Sequence, residues 1–194
     1  MKKIFLAVLG FSLLTLSSHA QTTPQADVAL GYSYLHLNGS NSVSGINTNG
    51  FSASLAYNFT GLIGVVADVG VYHGSVSGAA VTAESYMFGP RLSVRSSDKF
   101  TPFVQALLGG GHVNSVTVGN TTVYPGLDAF AFSFGGGADI GIAKNGRLAL
   151  RPQFDYVGLN NSFSTVNSQR VSISLVFHLG ARDRGVSAPK RDAH

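Results

Sequence analysis

The sequence predicts an all-β fold, an eight-stranded antiparallel up-and-down transmembrane β-barrel. Three observations lead there. The body of the chain divides into segments of about ten residues in which apolar and polar side chains alternate. The connections between them alternate between short and long. The chain is also apolar on average, with 11% charged residues. Yet past residue 20 no apolar run approaches the roughly 18 to 20 residues that a membrane helix needs.

The first twenty residues stand outside this pattern. Lys2 and Lys3 precede an apolar stretch from Ile4 to Leu16, and Ser18-His19-Ala20 supplies small residues around a spacer. Such a segment predicts a secretory signal peptide over 1–20, with cleavage after Ala20. The barrel is expected over 21–180 and a basic, disordered periplasmic tail over 181–194.

The strands follow in order. The first, 26–37, sets Val28, Leu30, Tyr32 and Tyr34 against Ala29, Gly31 and Ser33. The second, 50–59, sets Phe51, Ala53, Leu55, Tyr57 and Phe59 against Ser52, Ser54, Ala56 and Asn58. In the third, 63–73, Ile63, Val65, Ala67, Val69 and Val71 oppose Gly64, Val66, Asp68, Gly70 and Tyr72. The fourth, 83–95, carries Tyr86, Phe88, Pro90, Leu92 and Val94 on one side and Ser85, Met87, Gly89, Arg91, Ser93 and Arg95 on the other. Gly109 to Gly111 blur the fifth, 102–114, where Gln105 marks the polar side.

The sixth, 129–142, is sharp: Phe130, Phe132, Phe134, Ala138, Ile140 and Ile142 against Ala131, Ser133, Gly135, Gly137, Asp139 and Gly141. The seventh reads RLALRPQFDYVGLN from Arg147, with Leu150, Pro152, Phe154 and Tyr156 opposing Arg151, Gln153 and Asp155. In the eighth, 169–179, Val171, Ile173, Leu175, Phe177 and Leu179 oppose Arg170, Ser172, Ser174, Val176 and His178.

The connections near 60–62, 96–101 and 144–146 are short, and those near 38–49, 74–82, 115–128 and 159–168 are long. An even strand number, short turns on one side and both termini with them is the layout of a membrane barrel. Closure is an energetic requirement, because lipid offers no hydrogen bonds to an open sheet edge. The apolar sides are therefore expected to meet acyl chains: Phe51, Leu55, Tyr57, Val65, Val69, Phe88, Leu92, Phe130, Phe132, Phe134, Ile140, Leu150, Phe154, Tyr156, Ile173, Leu175 and Phe177. A soluble, lipocalin-like barrel would turn these inward and cover its outside with Lys and Glu. Between 21 and 180 the chain has one glutamate and two lysines.

Charge excludes other classes. Positions 21–180 hold seven acidic and seven basic residues, so the body lacks the basic excess of a nucleic-acid-binding domain. There is no cysteine, hence no disulfide framework or thiolate metal site. The histidines at 36, 73, 112 and 178 fall on different strands without metal-ligand spacing, and Gly135 to Gly137 lack the rest of a phosphate loop. No cofactor is expected.

Charges on the inner face need partners. A three-residue turn at Lys144-Asn145-Gly146, with Gly146 left-handed, pairs Ala143 with Arg147 and sets Asp139 opposite Arg151. Asp68 and Arg91 form a second expected pair. Together with Gln153 and Asp155 these residues predict a charged layer plugging the lumen.

The signal peptide, GPRLSV at 89–94, PFVQALLGGG at 102–111, FGGGADIGI at 134–142, LRPQFDYV at 150–157 and the closing VSISLVFHLG at 171–180 resemble the small OmpA/OmpX-type barrels of Gram-negative outer membranes. The resemblance spans 26–180. It implies residence in the outer membrane among phospholipid and lipopolysaccharide, insertion by the outer-membrane machinery, and a non-enzymatic structural or surface-interaction role, with a ligand met through four extracellular loops. In that family the last strand commonly ends at an aromatic residue that the machinery reads; Phe177 matches it, with seventeen residues following.

Two other functions stay open. One is a narrow, gated, porin-like channel controlled by the lumen charges. The other is a lipid A-modifying hydrolase using His73, Ser75 and Glu84, since some eight-stranded barrels act on lipid with such a set. Here the three lie outside any longer motif of that kind.

Overall fold

A computed structural model of the chain describes residues 24–38, 46–76, 79–95, 97, 99–114, 116–118, 121–124, 127–143, 146–160 and 165–180. The expected signal peptide, the tail at 181–194 and turn residues Lys144 and Asn145 lie outside them. Ten strands run in chain order: β1 (Ala26–Leu37), β2 (Ile46–Asn58), β3 (Ile63–Val76), β4 (Ala79–Ser93), β5 (Phe100–Val113), β6 (Val116–Val118), β7 (Thr121–Tyr124), β8 (Leu127–Gly141), β9 (Leu148–Asn160) and β10 (Thr165–Leu179).

Eight of them close into an antiparallel barrel in the order β1-β10-β9-β8-β5-β4-β3-β2. Because β1 pairs with both β2 and β10, no barrel edge is left unpaired. The short β6 and β7 pair only with each other, in a hairpin within the β5–β8 connection. Among the described residues no helix is long and apolar enough to cross a membrane, so any crossing falls to strands.

Period-2 burial runs around the whole wall. Along β9, Leu150, Pro152, Phe154 and Tyr156 are exposed while Ala149, Arg151, Gln153, Asp155 and Val157 are buried. Small inner residues leave room for large ones. Gly70 lies against the Tyr72 ring, Gly135 against Asp155, and Gly137 against Phe103. Apolar residues fill part of the interior, with Val66, Met87 and Leu107 in one cluster and Leu35, Tyr72 and Val157 in another.

Two outer glycines have a different reason. Gly110 and Gly158 stand directly across from Tyr86 and Phe132 in the register, and each is covered by that ring. A Cβ at either site would overlap the aromatic ring.

The short-turn end matches its predicted geometry. Gly146 has φ 64°, in the left-handed region, and its N–H donates to the Ala143 carbonyl at 2.9 Å. At the other end the expectation of long loops needs correction. β3 runs to Val76, β4 starts at Ala79 and β10 at Thr165, so most of 74–82 and 159–168 is paired strand. Pairs such as His73↔Thr82 and Ser75↔Ala80 continue the ladder after the outward side turns polar. Hydrophobic alternation stops there, but hydrogen bonding does not.

Candidate functional site

The candidate site is the lumen. It is assembled from side chains on the polar parity of the barrel strands, and Asp68, Arg91, Asp139, Arg151, Gln153 and Asp155 are all buried there. The β8–β9 register leads Ile140↔Leu150 toward the turn, one step from Asp139 and Arg151. Arg151 donates to both oxygens of Asp139, with Nη2 to Oδ2 at 2.9 Å. Such a two-point guanidinium–carboxylate pair is the strong form of a buried ion pair.

The expected Asp68–Arg91 pair is not formed. Asp68 stands across from Met87, four residues from Arg91 on β4, which is too far for a contact at a strand's rise per residue. Asp68 accepts from Arg170 Nη1 at 2.7 Å. The same guanidinium donates through Nε to Asp155 at 2.9 Å and through Nη1 to the Tyr72 hydroxyl at 3.2 Å. Arg170 thus reaches from β10 to β3, across the barrel. Arg91 finds Gln105, whose Oε1 accepts from Nε and Nη2 at 3.1 and 2.8 Å.

Gln105 and Gln153 join these groups. Gln105 directs its carbonyl at Arg91 and its amide at Asp155, 3.4 Å away; Gln153 donates to Asp155 at 2.7 Å. The Arg91 and Arg151 guanidinium carbons lie over the Phe103 ring, 4.4 and 4.8 Å from its centroid. A low-dielectric interior makes an unpaired ion costly, and here the ions are held by carboxylates, amides and ring faces together.

A second polar cluster lies at the short-turn end. Asp27 on β1 accepts from His178 Nδ1 at 2.6 Å, Asn58 Nδ2 at 3.0 Å and Arg95 Nη2 at 3.1 Å. His178 stands directly across from Asp27 on β10, so this cluster ties together the first and last barrel strands. Sequence reasoning put Arg170, Arg95 and His178 on the polar side but outside the charge layer. The parity they share with Ser172, Ser174 and Arg91 was the available signal.

The outside is the reverse. Phe51, Phe88 and Phe134 are 73, 69 and 63% exposed. Leu55, Tyr57, Val65, Val69, Leu92, Phe130, Ile140, Leu150, Phe154, Tyr156, Ile173, Leu175 and Phe177 also face outward and are exposed. Phe132 is half-buried, because its ring lies over Gly158 and beside Tyr156. His73, Ser75 and Glu84 share the outer surface near the loop end, where His73 Nδ1 bonds the Thr82 hydroxyl at 3.0 Å. Among the described residues no group of three or more His, Asp or Glu could hold a metal ion.

A closed sheet with hydrocarbon outside and ion pairs inside defines a transmembrane β-barrel. Solved structures carry the same fold. Neisserial surface protein A superposes with a TM-score of 0.66 at 13% identity, covering 80% of this chain and 97% of that one. Ail, the attachment invasion locus protein of Yersinia pestis, gives 0.58 at 14%, covering 80% and 99%. Ail in complex with the heparin analogue sucrose octasulfate gives 0.53 at 14%, covering 78% and 97%. No protein-family model and no curated protein matches the sequence. The chain has the fold of the small eight-stranded outer-membrane β-barrels.

Proposed function

We propose that this chain is an outer-membrane protein of a Gram-negative bacterium with a structural or surface-interaction role, its lumen plugged and its loops exposed to the outside. Residues 1–20 would leave as the signal peptide, and 181–194 would trail into the periplasm. The observation that carries the plug is Arg170, held between Asp68 and Asp155 across the lumen. Gln105 and Gln153 bond the Asp155 that it holds, and Phe103 lies under the Arg91 and Arg151 guanidiniums. Small barrels have interiors that side chains fill, so this is an architectural element first.

Surface interaction would belong to the loop end. The loop-end connections and the strand ends beside them, which fall within 26–90, 100–143 and 152–169, contain no Lys or Arg, and the neighbouring Arg170 is buried in the lumen. A polysulfated ligand of the type seen with Ail would find no such cation there. Recognition by backbone hydrogen bonds suits this surface better, and the β6–β7 hairpin has unpaired strand edges that could extend into a partner's strand. Outer-membrane lipid, lipopolysaccharide and the insertion machinery are the other partners this reading implies.

Planar-bilayer recording tests the plug. The unmodified protein is expected to show no sustained conductance, and Arg151→Gln to lose stability without opening a channel. A steady open state in either would replace the plug with a narrow gated pore. Deleting 116–123 should leave folding intact and remove surface binding; binding that survives would end the role given to the hairpin.

A further inference from the structure

We propose that His36, His73 and His112 form an acid-switched collar that binds the phosphates of anionic lipids in the leaflet at the loop end. The inference rests on the transmembrane placement proposed above.

All three side chains share the outward parity of their strands. Each stands one outward position beyond the exposed apolar or aromatic wall: His36 beyond Tyr34, His73 beyond Val71, and His112 on β5 beside Asp128 of β8, which precedes Phe130. The register carries them around one side of the barrel through His36↔Asn47, Asn49↔His73, His73↔Thr82, Glu84↔His112 and His112↔Asp128. A group pointing out of the wall just above the hydrocarbon faces headgroups, not the lumen or a loop-borne ligand. The anion within its reach is therefore a lipid phosphate.

The collar's charge is set by these imidazoles against two carboxylates, Glu84, diagonal to His73 and across from His112, and Asp128. His36 faces Asn47 and Gln169, and His73 faces Asn49 and Thr82, none of which titrates in the relevant range. Glu84 and Asp128 flank His112, and Asp128 Oδ1 lies 2.6 Å from its Nδ1. The nearest exposed described cations, Lys99 and Arg147, belong to the opposite, short-turn end. Neutral imidazoles leave two carboxylates facing the phosphate layer. Protonation of the imidazoles sets three cations against the same two anions. Imidazolium N–H groups make charge-assisted bonds to phosphate, so affinity for anionic headgroups appears only on the acid side.

The test uses the full chain in phosphatidylcholine vesicles containing phosphatidylglycerol, whose phosphodiester keeps one charge throughout the range. Spin-labelled forms of both lipids report their relative association with the barrel at pH 7.5 and 5.5. Preference for phosphatidylglycerol is expected to rise about threefold or more on acidification, of the order that a few surface cations produce. The His36→Asn/His73→Asn/His112→Asn variant should be flat. It retains Lys99, Arg147, His178 and the tail, so their contribution cancels in the comparison.

A flat profile in the unmodified protein, or an equal rise in the variant, overturns the collar. Heat-modifiable gel mobility checks that both proteins are folded. A folded protein with no motionally restricted lipid component would overturn the transmembrane placement itself, a result distinct from a flat profile.

Discussion

Arg170 and Arg95 both reach across the lumen to a carboxylate, and they do so in different company. Arg170 runs from β10 to Asp68 on β3 and also holds Asp155 and the Tyr72 hydroxyl. Arg95 runs from the β4–β5 turn to Asp27 on β1, while its Nε and Nη1 have no protein partner among the described residues. One guanidinium is shared by two carboxylates in mid-barrel; the other is one of three donors to a single carboxylate at the mouth. The difference follows from the acceptors within reach: Arg170 meets acceptors on β3 and β9 and leaves only Nη2 without a hydrogen bond, whereas Arg95 meets Asp27 alone.

Mutation of each arginine should therefore have unequal consequences. Arg170→Leu strands Asp68 and Asp155 without their shared cation and is expected to cost about 3–5 kcal/mol in urea unfolding from micelles. Replacing all three with Leu should be milder than the single change, because well-packed apolar groups often substitute for a buried ion network without loss. A triple variant weaker than Arg170→Leu would show that these ions add net stability. Arg95→Met should cost less, about 1–2 kcal/mol, since Asn58 and His178 still serve Asp27. Equal losses for the two arginines would erase the distinction between mid-lumen and mouth.

The outer wall should respond least. Phe132→Leu keeps an apolar side chain in the hydrocarbon, so what is lost is mainly the ring's packing over Gly158. A cost of about 0.5–1 kcal/mol is expected in the same assay. A loss as large as that of Arg170→Leu would mean the ring is part of a core and not of a membrane surface.

These contrasts also mark what was legible in the sequence. Strand identity and facing were readable because lipid outside and small polar residues inside impose period 2 on every strand, as in 129–142 and 147–160. Asp139 and Arg151 could be placed together because a short turn sets their register. Asp68 could not, because its partner arrives from β10 across the lumen, and strand tilt and stagger decide which distant inner residues meet. Arg91 likewise turned to Gln105 on the neighbouring strand. The upper strand ends were hidden for another reason: beyond the apolar band the outward positions turn to His73, Ser75, Ala80 and Thr82, so pairing continues there without the polar–apolar alternation of the wall.

The most direct test is a single-cysteine scan of β10, feasible because the chain has no native cysteine. Spin labels at 171, 173, 175 and 177 in bilayers should be relaxed strongly by lipid-dissolved oxygen and weakly by a water-soluble nickel chelate. Labels at 172, 174 and 176 should be immobilised and show much less oxygen exposure, giving a period of two along the strand. Reversal of that phase, with oxygen reaching 172 and 174 and missing 173 and 175, would contradict an oily exterior around an ionic interior.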